Sequence, residues 1–495
     1  MEITKFRYFL YITSFVAGFI TLSLEMLGFR MLAPYFGYSI YISGSLIGII
    51  LISLTLGYYL GGILADKKPD VDFMFKLILI SDIYIFLIAL TYNKILAYFS
   101  NFDLLLGTAL STLVIFALPM ILLSTVSPYL VKTLSSKNTV GKVSGNISAL
   151  STLGNIAGVF VTTFLLIPEI GTHKTIYILA VSLLIISVYW LAKINKKYLF
   201  SILILLLINT NTKIDSKLGN VIYSEESEYN LVRVIERDRE LIMVLNSDKW
   251  GQSIINKDSI LSYRYYDYFN LAPLISEGEN ALVLGMGSGV SVVQFRNFFP
   301  NLSIDAVEID PRVVETSYNF FNLPKNDDKL NVYIEDAKSF LKTTSKKYDV
   351  IEVDMYNGDI YVPFYLVTEE FFKEINNHLK DNGVLIMNVA AIEESENKYS
   401  VFNPISNTIA SVFPSAFAIR IPHNVIVIAT KTHTSKEEIM NKIKLGKNNV
   451  KELGTVTSTA MNNLEEIKPD NNKIILTDDK SPIEKYTYEM QKGIN

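Results

Sequence analysis

Three glycines alternate in Gly285-Met-Gly-Ser-Gly289, directly after an apolar run at 281–284. A second apolar run, 304–307, ends in Glu308, 23 positions beyond Gly285. This is the layout of a nucleotide-binding βαβ unit. The glycines let backbone approach a ligand, the helix start supplies free N–H groups, and the acid accepts from ribose hydroxyls. Two further apolar runs end the same way, 331–334 before Glu335-Asp336-Ala337 and 348–353 before Asp354. A carboxylate at such a strand end can pair with a cation and take up a proton as a general base. The chain has no cysteine, which excludes disulfides, thiolate metal sites and cysteine nucleophiles. Its four histidines (His173, His378, His423, His433) show no metal-ligand spacing, so no metal is expected.

The elements that must position these acids alternate between strand and helix. Helical patterns near 312–320 and 368–380 separate the strands already named from another at 384–388. A last pair, near 416–421 and 425–430, flanks His423. Strands alternating with helices predict a mostly parallel sheet covered on both faces, with ligands outside the carboxyl ends of the strands. Gly285–Gly289, Glu308, Asp336 and Asp354 all fall at such ends. Ahead of this Rossmann-like region, 276–495, the stretch 221–256 alternates apolar and polar residues around the charged turn Arg237-Asp-Arg-Glu240. It predicts a small antiparallel sheet, and 263–274 reads as a helix leading into the glycine loop.

The first 209 residues are of another kind. The chain is 50% apolar with mean hydropathy +0.29, and nearly all its long hydrophobic runs lie there. Windows near 8–30, 42–65, 73–93, 104–131, 145–167 and 174–192 are long enough to cross the roughly 30 Å hydrocarbon core as helices. The run 198–208 is only 11 residues and reads as interfacial or re-entrant. Eleven Lys and Arg residues fall at one set of span ends and three (Arg30, Lys94, Lys174) at the other. The N-terminus and the soluble half are therefore expected on the cytoplasmic side of the cell membrane. Asp82, mid-span, is the most unusual ionisable residue there. Residues 210–220 are polar and read as a linker. With a net charge of −4 and no basic stripe, nucleic acid is not an expected partner.

The soluble half resembles the spermidine synthase family of polyamine aminopropyltransferases, on the fold of class I AdoMet methyltransferases. The resemblance rests on Glu226-Ser-Glu-Tyr229, Asn246-Ser-Asp-Lys-Trp-Gly-Gln252, Tyr265-Tyr-Asp267, the glycine loop, Val307-Glu-Ile-Asp310, Glu335-Asp-Ala337 and 348–354. The helical half resembles integral-membrane members through Pro34-Tyr-Phe-Gly-Tyr-Ser39, Gly57-Tyr-Tyr-Leu-Gly-Gly-Ile-Leu-Ala-Asp66 and the tail Leu476-Thr-Asp-Asp-Lys-Ser-Pro482. The resemblance implies Gln252 and Glu308 on the nucleoside and ribose, Asp336 with Ala337 on the adenine, and Asp354 as the base for the attacking amine. It implies Tyr265, Asp267 and Asn357 on the acceptor side. Three positions depart from the family pattern: Ser288 replaces a loop aspartate, Asn357 replaces a second substrate-binding aspartate, and Tyr266-Asp267 replaces a histidine–glutamate pair. The implied reaction moves an aminopropyl group from decarboxylated AdoMet to a di- or polyamine and releases methylthioadenosine. Transfer of a methyl or aminocarboxypropyl group from intact AdoMet to a small or membrane-bound acceptor remains open, as does a transporter or sensor regulated by a nucleoside-binding domain. The expected partners are a small amine and the lipid bilayer, with room for a homodimer.

Overall fold

The computed structural model describes residues 2–136, 139–208, 216–248, 251–356, 360–392, 395–397 and 399–491. The chain divides into two compact units, Met1–Ile214 and Asp215–Asn495.

The first unit contains six helices long and apolar enough to cross a membrane: Lys5–Phe36, Ile40–Lys67, Val71–Phe99, Leu104–Leu134, Val140–Ile170 and Thr172–Ile194. Each extends a few residues past its apolar window, because polar end residues continue the helix. Two pairs of spans pack backbone to backbone. A methyl group on Gly57 would collide with Ser124 and the Ile121 carbonyl, and one on Gly61 with Thr125, which ties the second span to the fourth. Gly154 and Gly158 meet the carbonyls of Phe15 and Phe19 in the same way and tie the fifth span to the first. Such close approach favours association where lipid offers no hydrophobic driving force. The fourth and fifth spans each pass through a π-helical turn, Leu113–Ala117 and Thr162–Leu166, just ahead of Pro119 and Pro168. A proline lacks the N–H and crowds the carbonyl four residues back, and the wider turn makes the room it needs. Asp82 is fully buried, and neither carboxylate oxygen has a hydrogen-bond partner among the described residues. The short apolar run forms a 3₁₀ helix, Lys196–Leu207. At about 2 Å per residue it is some 24 Å long, short of the bilayer core.

The second unit begins with an antiparallel sheet of β1 (Asn220–Glu226), β2 (Leu231–Arg237), β3 (Glu240–Leu245) and β4 (Ser253–Asn256), paired in that order. The helix expected over 263–274 starts instead as a 3₁₀ turn, Tyr265–Asn270, before the α-helix Leu271–Ser276. Asp267 explains the tight start: its carboxylate accepts from the N–H groups of Ser262 (2.9 Å) and Tyr263 (2.8 Å), which folds the chain back before the helix can open.

Eight strands follow: β5 (Asn280–Leu284), β6 (Ser303–Glu308), β7 (Leu330–Ile334), β8 (Tyr348–Val353), β9 (Leu379–Ala390), β10 (Ser415–Ile421), β11 (Asn424–Thr430) and β12 (Leu464–Ile467). Their order is β12-β10-β11-β9-β8-β5-β6-β7. Strands β5 to β9 pair in parallel, while β11, β10 and β12 add antiparallel neighbours at one edge. This is a class I methyltransferase-like sheet, with apolar layers on both faces. The chain leaves β5 toward β6 and β7, then returns to β8 on the other side of β5. That reversal opens a crevice at the carboxyl ends of β5 and β8, the topological switch point where such folds hold ligands.

Candidate functional site

The glycine loop spans the switch point. Gly285, Gly287 and Gly289 all have positive φ (81°, 54° and 76°), a conformation L side chains rarely adopt. Gly285 is doubly constrained, because a Cβ there would strike the Asp354 carbonyl, so only glycine lets the ends of β5 and β8 close together. The N–H groups of the loop itself, ahead of the helix start, are engaged within the protein. Gly285 and Met286 donate to the Val307 carbonyl (both 3.0 Å), Gly287 to Glu308 Oε2 (2.9 Å), Ser288 to Ser253 Oγ (3.2 Å) and Gly289 to the Met286 carbonyl (2.9 Å). A pyrophosphate loop keeps such donors for its anion. Here all five are satisfied within the protein, and the Gly287 N–H fixes Glu308.

The loop forms one wall of a cavity of about 320 Å³. Four carboxylates line it, Glu308, Glu335, Asp336 and Asp354, and no lysine or arginine does among the described residues. Glu308 accepts from the N–H groups of Gly287 and Asp310 (3.1 Å). Burial nevertheless raises its pKa to about 7, the hydrogen bonds only moderating the shift. Asp336 caps the helix Ala337–Thr343 through Ser339 N–H (2.9 Å) and accepts from the Tyr365 hydroxyl (3.3 Å).

Asp354 sits just beyond the end of β8. Its Oδ2 accepts from the Tyr265 hydroxyl (2.8 Å) and its Oδ1 from Asn388 Nδ2 (3.0 Å). Burial raises its pKa to about 7, with both hydrogen bonds pulling the other way. The Tyr265 ring packs at a tilt of 39° against Tyr266 with ring centres 4.0 Å apart, and the Tyr266 hydroxyl donates to the Gln252 carbonyl (2.9 Å). The Asp354 carboxyl is thus held from two sides, with its pKa raised to about 7. A second cavity of about 130 Å³ adjoins, sharing Gln252 and Tyr356 as wall and adding Tyr265, Asn388 and His423.

The sequence-nominated residues divide three ways. Gln252, Gly285, Gly287, Glu308, Asp336, Ala337 and Asp354 line the larger cavity, and Tyr265 lines the smaller. Ser288, Gly289 and Asp267 line neither. The Ser288 side chain is fully buried and its Oγ has no partner among the described residues. Asp267 is occupied by Ser262, Tyr263 and Gln294 (2.6 Å) and shapes the turn that carries Tyr265. Asn357 lies outside the described residues. Sequence reasoning passed over Tyr356, Tyr365 and Asn388. Asn388 could have been found, since it lies near the carboxyl end of β9, where ligand-facing residues of such sheets collect. Tyr365 carries no signal, because only the fold brings its loop to Asp336.

Comparison with known proteins agrees with this geometry. Residues 270–443 match the model of the spermine/spermidine synthase domain. A probable polyamine aminopropyl transferase of Bifidobacterium longum is 32% identical over 282 residues, covering 54% of this chain and 62% of that protein. The match therefore spans less than two thirds of that relative's length. Polyamine aminopropyltransferase 2 of Aquifex aeolicus is 25% identical over 398 residues, 76% of this chain and 78% of that one. That likeness is longer than the Asp215–Asn495 unit and so reaches into the helical unit. The crystal structure of a probable spermidine synthase from Corynebacterium glutamicum covers 53% of this chain and 98% of its own, at 14% identity and a TM-score of 0.40. With an acid-lined switch point beneath a glycine loop, and with the family match, residues 270–443 carry a spermine/spermidine synthase domain.

Proposed function

We propose that the protein is a membrane-anchored aminopropyltransferase that takes decarboxylated AdoMet as donor and a di- or polyamine as acceptor. The observation that carries this reading is the charge of the larger cavity, four carboxylates with no basic side chain among its described walls. Such a site favours a ligand that carries a sulfonium and an ammonium and no anionic group. It disfavours intact AdoMet, whose carboxylate would face acids alone.

The residues divide the work. Glu308 accepts from ribose hydroxyls, and Asp336 from the adenine amine. Asp354 faces the boundary between the two cavities, where the acceptor amine approaches through the smaller one. The amine nitrogen attacks the methylene carbon beside the sulfonium. The C–S bond breaks toward sulfur, leaving neutral methylthioadenosine, and the nitrogen's surplus proton passes to Asp354. The carboxylate also offsets the positive charge on nitrogen as the C–N bond forms. Six apolar helices and eleven positive charges at one set of their ends support a soluble unit on the cytoplasmic side.

The test is to incubate the purified full-length protein with each sulfonium donor and a panel of amines, then identify the nucleoside released. Methylthioadenosine from the decarboxylated donor is expected. S-adenosylhomocysteine, or methylthioadenosine from intact AdoMet alone, overturns the assignment.

A further inference from the structure

The second, fourth and fifth spans line a groove of about 710 Å³, within the size range of ligand sites. Its fifth-span wall is a ladder of polar side chains on one helix face: Ser144, Ser148, Ser151, Thr152 and Asn155. These positions follow the spacing that stacks residues along a single stripe. The ladder is about 16 Å long at 1.5 Å per residue. Asn155 is the midpoint of the Val140–Ile170 span, so the stripe reaches mid-depth.

At the other end, Asp66 and Lys132 are the only charged side chains lining the groove among the described residues, and they pair at 2.6 Å. Asp66 lies one residue from the end of the second span and Lys132 in the last turn of the fourth, at the boundary where lipid head groups sit. Both are well exposed, 71% and 48%, so the pair contributes little and opens readily. A wall of hydroxyls and amides inside hydrocarbon is unfavourable unless those groups find hydrogen-bond partners.

We propose that this groove binds a zwitterionic aminophospholipid, with its ammonium on Asp66, its phosphate on Lys132, and its glycerol and ester oxygens on the outer rungs of the ladder. A zwitterion replaces one exposed ion pair by two and brings no net charge into the span. A net-charged ligand would leave one of the two partners opposed. The apolar members of the same groove, Tyr58, Val131 and Ile147, suit a lipid rather than a freely soluble zwitterion. This assignment is independent of the chemistry of the soluble unit.

The test is native mass spectrometry of the full-length protein after equilibration in vesicles of equal phosphatidylethanolamine and phosphatidylglycerol. Retention of the zwitterionic lipid should exceed that of the anionic one by about fivefold, the discrimination one partly exposed ion pair supports. Asp66→Asn, a change at the exposed mouth, should remove that preference, and Ser148→Leu with Thr152→Leu should abolish retention. Equal retention of the two lipids, or a preference that survives Asp66→Asn, overturns the proposal. Displacement of the lipid by free phosphoethanolamine at matched concentration also overturns it, because the source would then be the aqueous phase.

Discussion

At the scale of single residues, Asp354 concentrates the chemistry of the proposed reaction. Replacing it by asparagine keeps its shape and its place near Tyr265 and Asn388 but removes the proton acceptor. Turnover should fall by about 10²- to 10⁴-fold, the usual contribution of a general base, while donor binding measured by calorimetry persists. Asp354 and Glu308 both carry folded-state pKa values near 7, above the 3.8 and 4.5 of the unfolded groups. Activity that needs both ionised should drop below about pH 7 with a slope steeper than one proton, which a pH–rate profile of kcat/KM will show. Stability runs the opposite way. The folded state holds more protons than the unfolded one between about pH 4 and 7, so rising pH through that window removes stability. Asp354→Asn should therefore melt higher than the native protein at pH 8, with the advantage shrinking toward pH 4. Asp354 and Glu308 were legible in the sequence because each follows an apolar run whose strand end exposes it. Ser288 stands where the family pattern has a loop aspartate, yet its side chain is buried in protein. Loop position alone does not tell which way a short side chain turns.

At the scale of elements, buried polar contacts join the small sheet to the parallel one. Asp310 caps the helix Pro311–Phe320 through Arg312 N–H (2.9 Å) and accepts from Ser227 Oγ (2.6 Å) and Asn230 Nδ2 (2.9 Å). Asn230 continues the chain by accepting from Asn246 Nδ2 (2.7 Å). Asp310 thus fixes both the Glu308 turn and the β1–β2 turn that brings Tyr229 and Asn230 to the cavity. Asp310→Ala removes a helix cap and strands buried donors, which should cost about 1–3 kcal/mol by thermal unfolding and weaken donor binding as well. The alternation of strands with helices, the hairpin turn at 237–240 and the strand pair around His423 followed from periodicity and turn chemistry. β12 did not, because a four-residue edge strand with two exposed glutamates has no apolar run to announce it. The 3₁₀ start at Tyr265 was equally silent, since it is set by the Asp267 carboxylate and not by helical periodicity.

At the scale of the whole molecule, the six spans were legible from hydropathy alone, whereas the groove between them was not, because it depends on which glycine faces which backbone. Gly57→Leu should prevent the second and fourth spans from closing and sharply reduce the monodisperse protein recovered in detergent. Gly48→Leu, at a position with open space, should leave recovery unchanged, and size-exclusion profiles will separate the two. The glycine loop bears on the protein's place among the solutes of a cell. Phosphorylated adenosine compounds share the base and the ribose of the proposed donor. A loop whose five amides are already engaged has none to offer their phosphates, and the carboxylates around it repel them. In the proposed donor site, these withheld loop donors disfavour the phosphates of the common nucleotide pool, with no steric gate required.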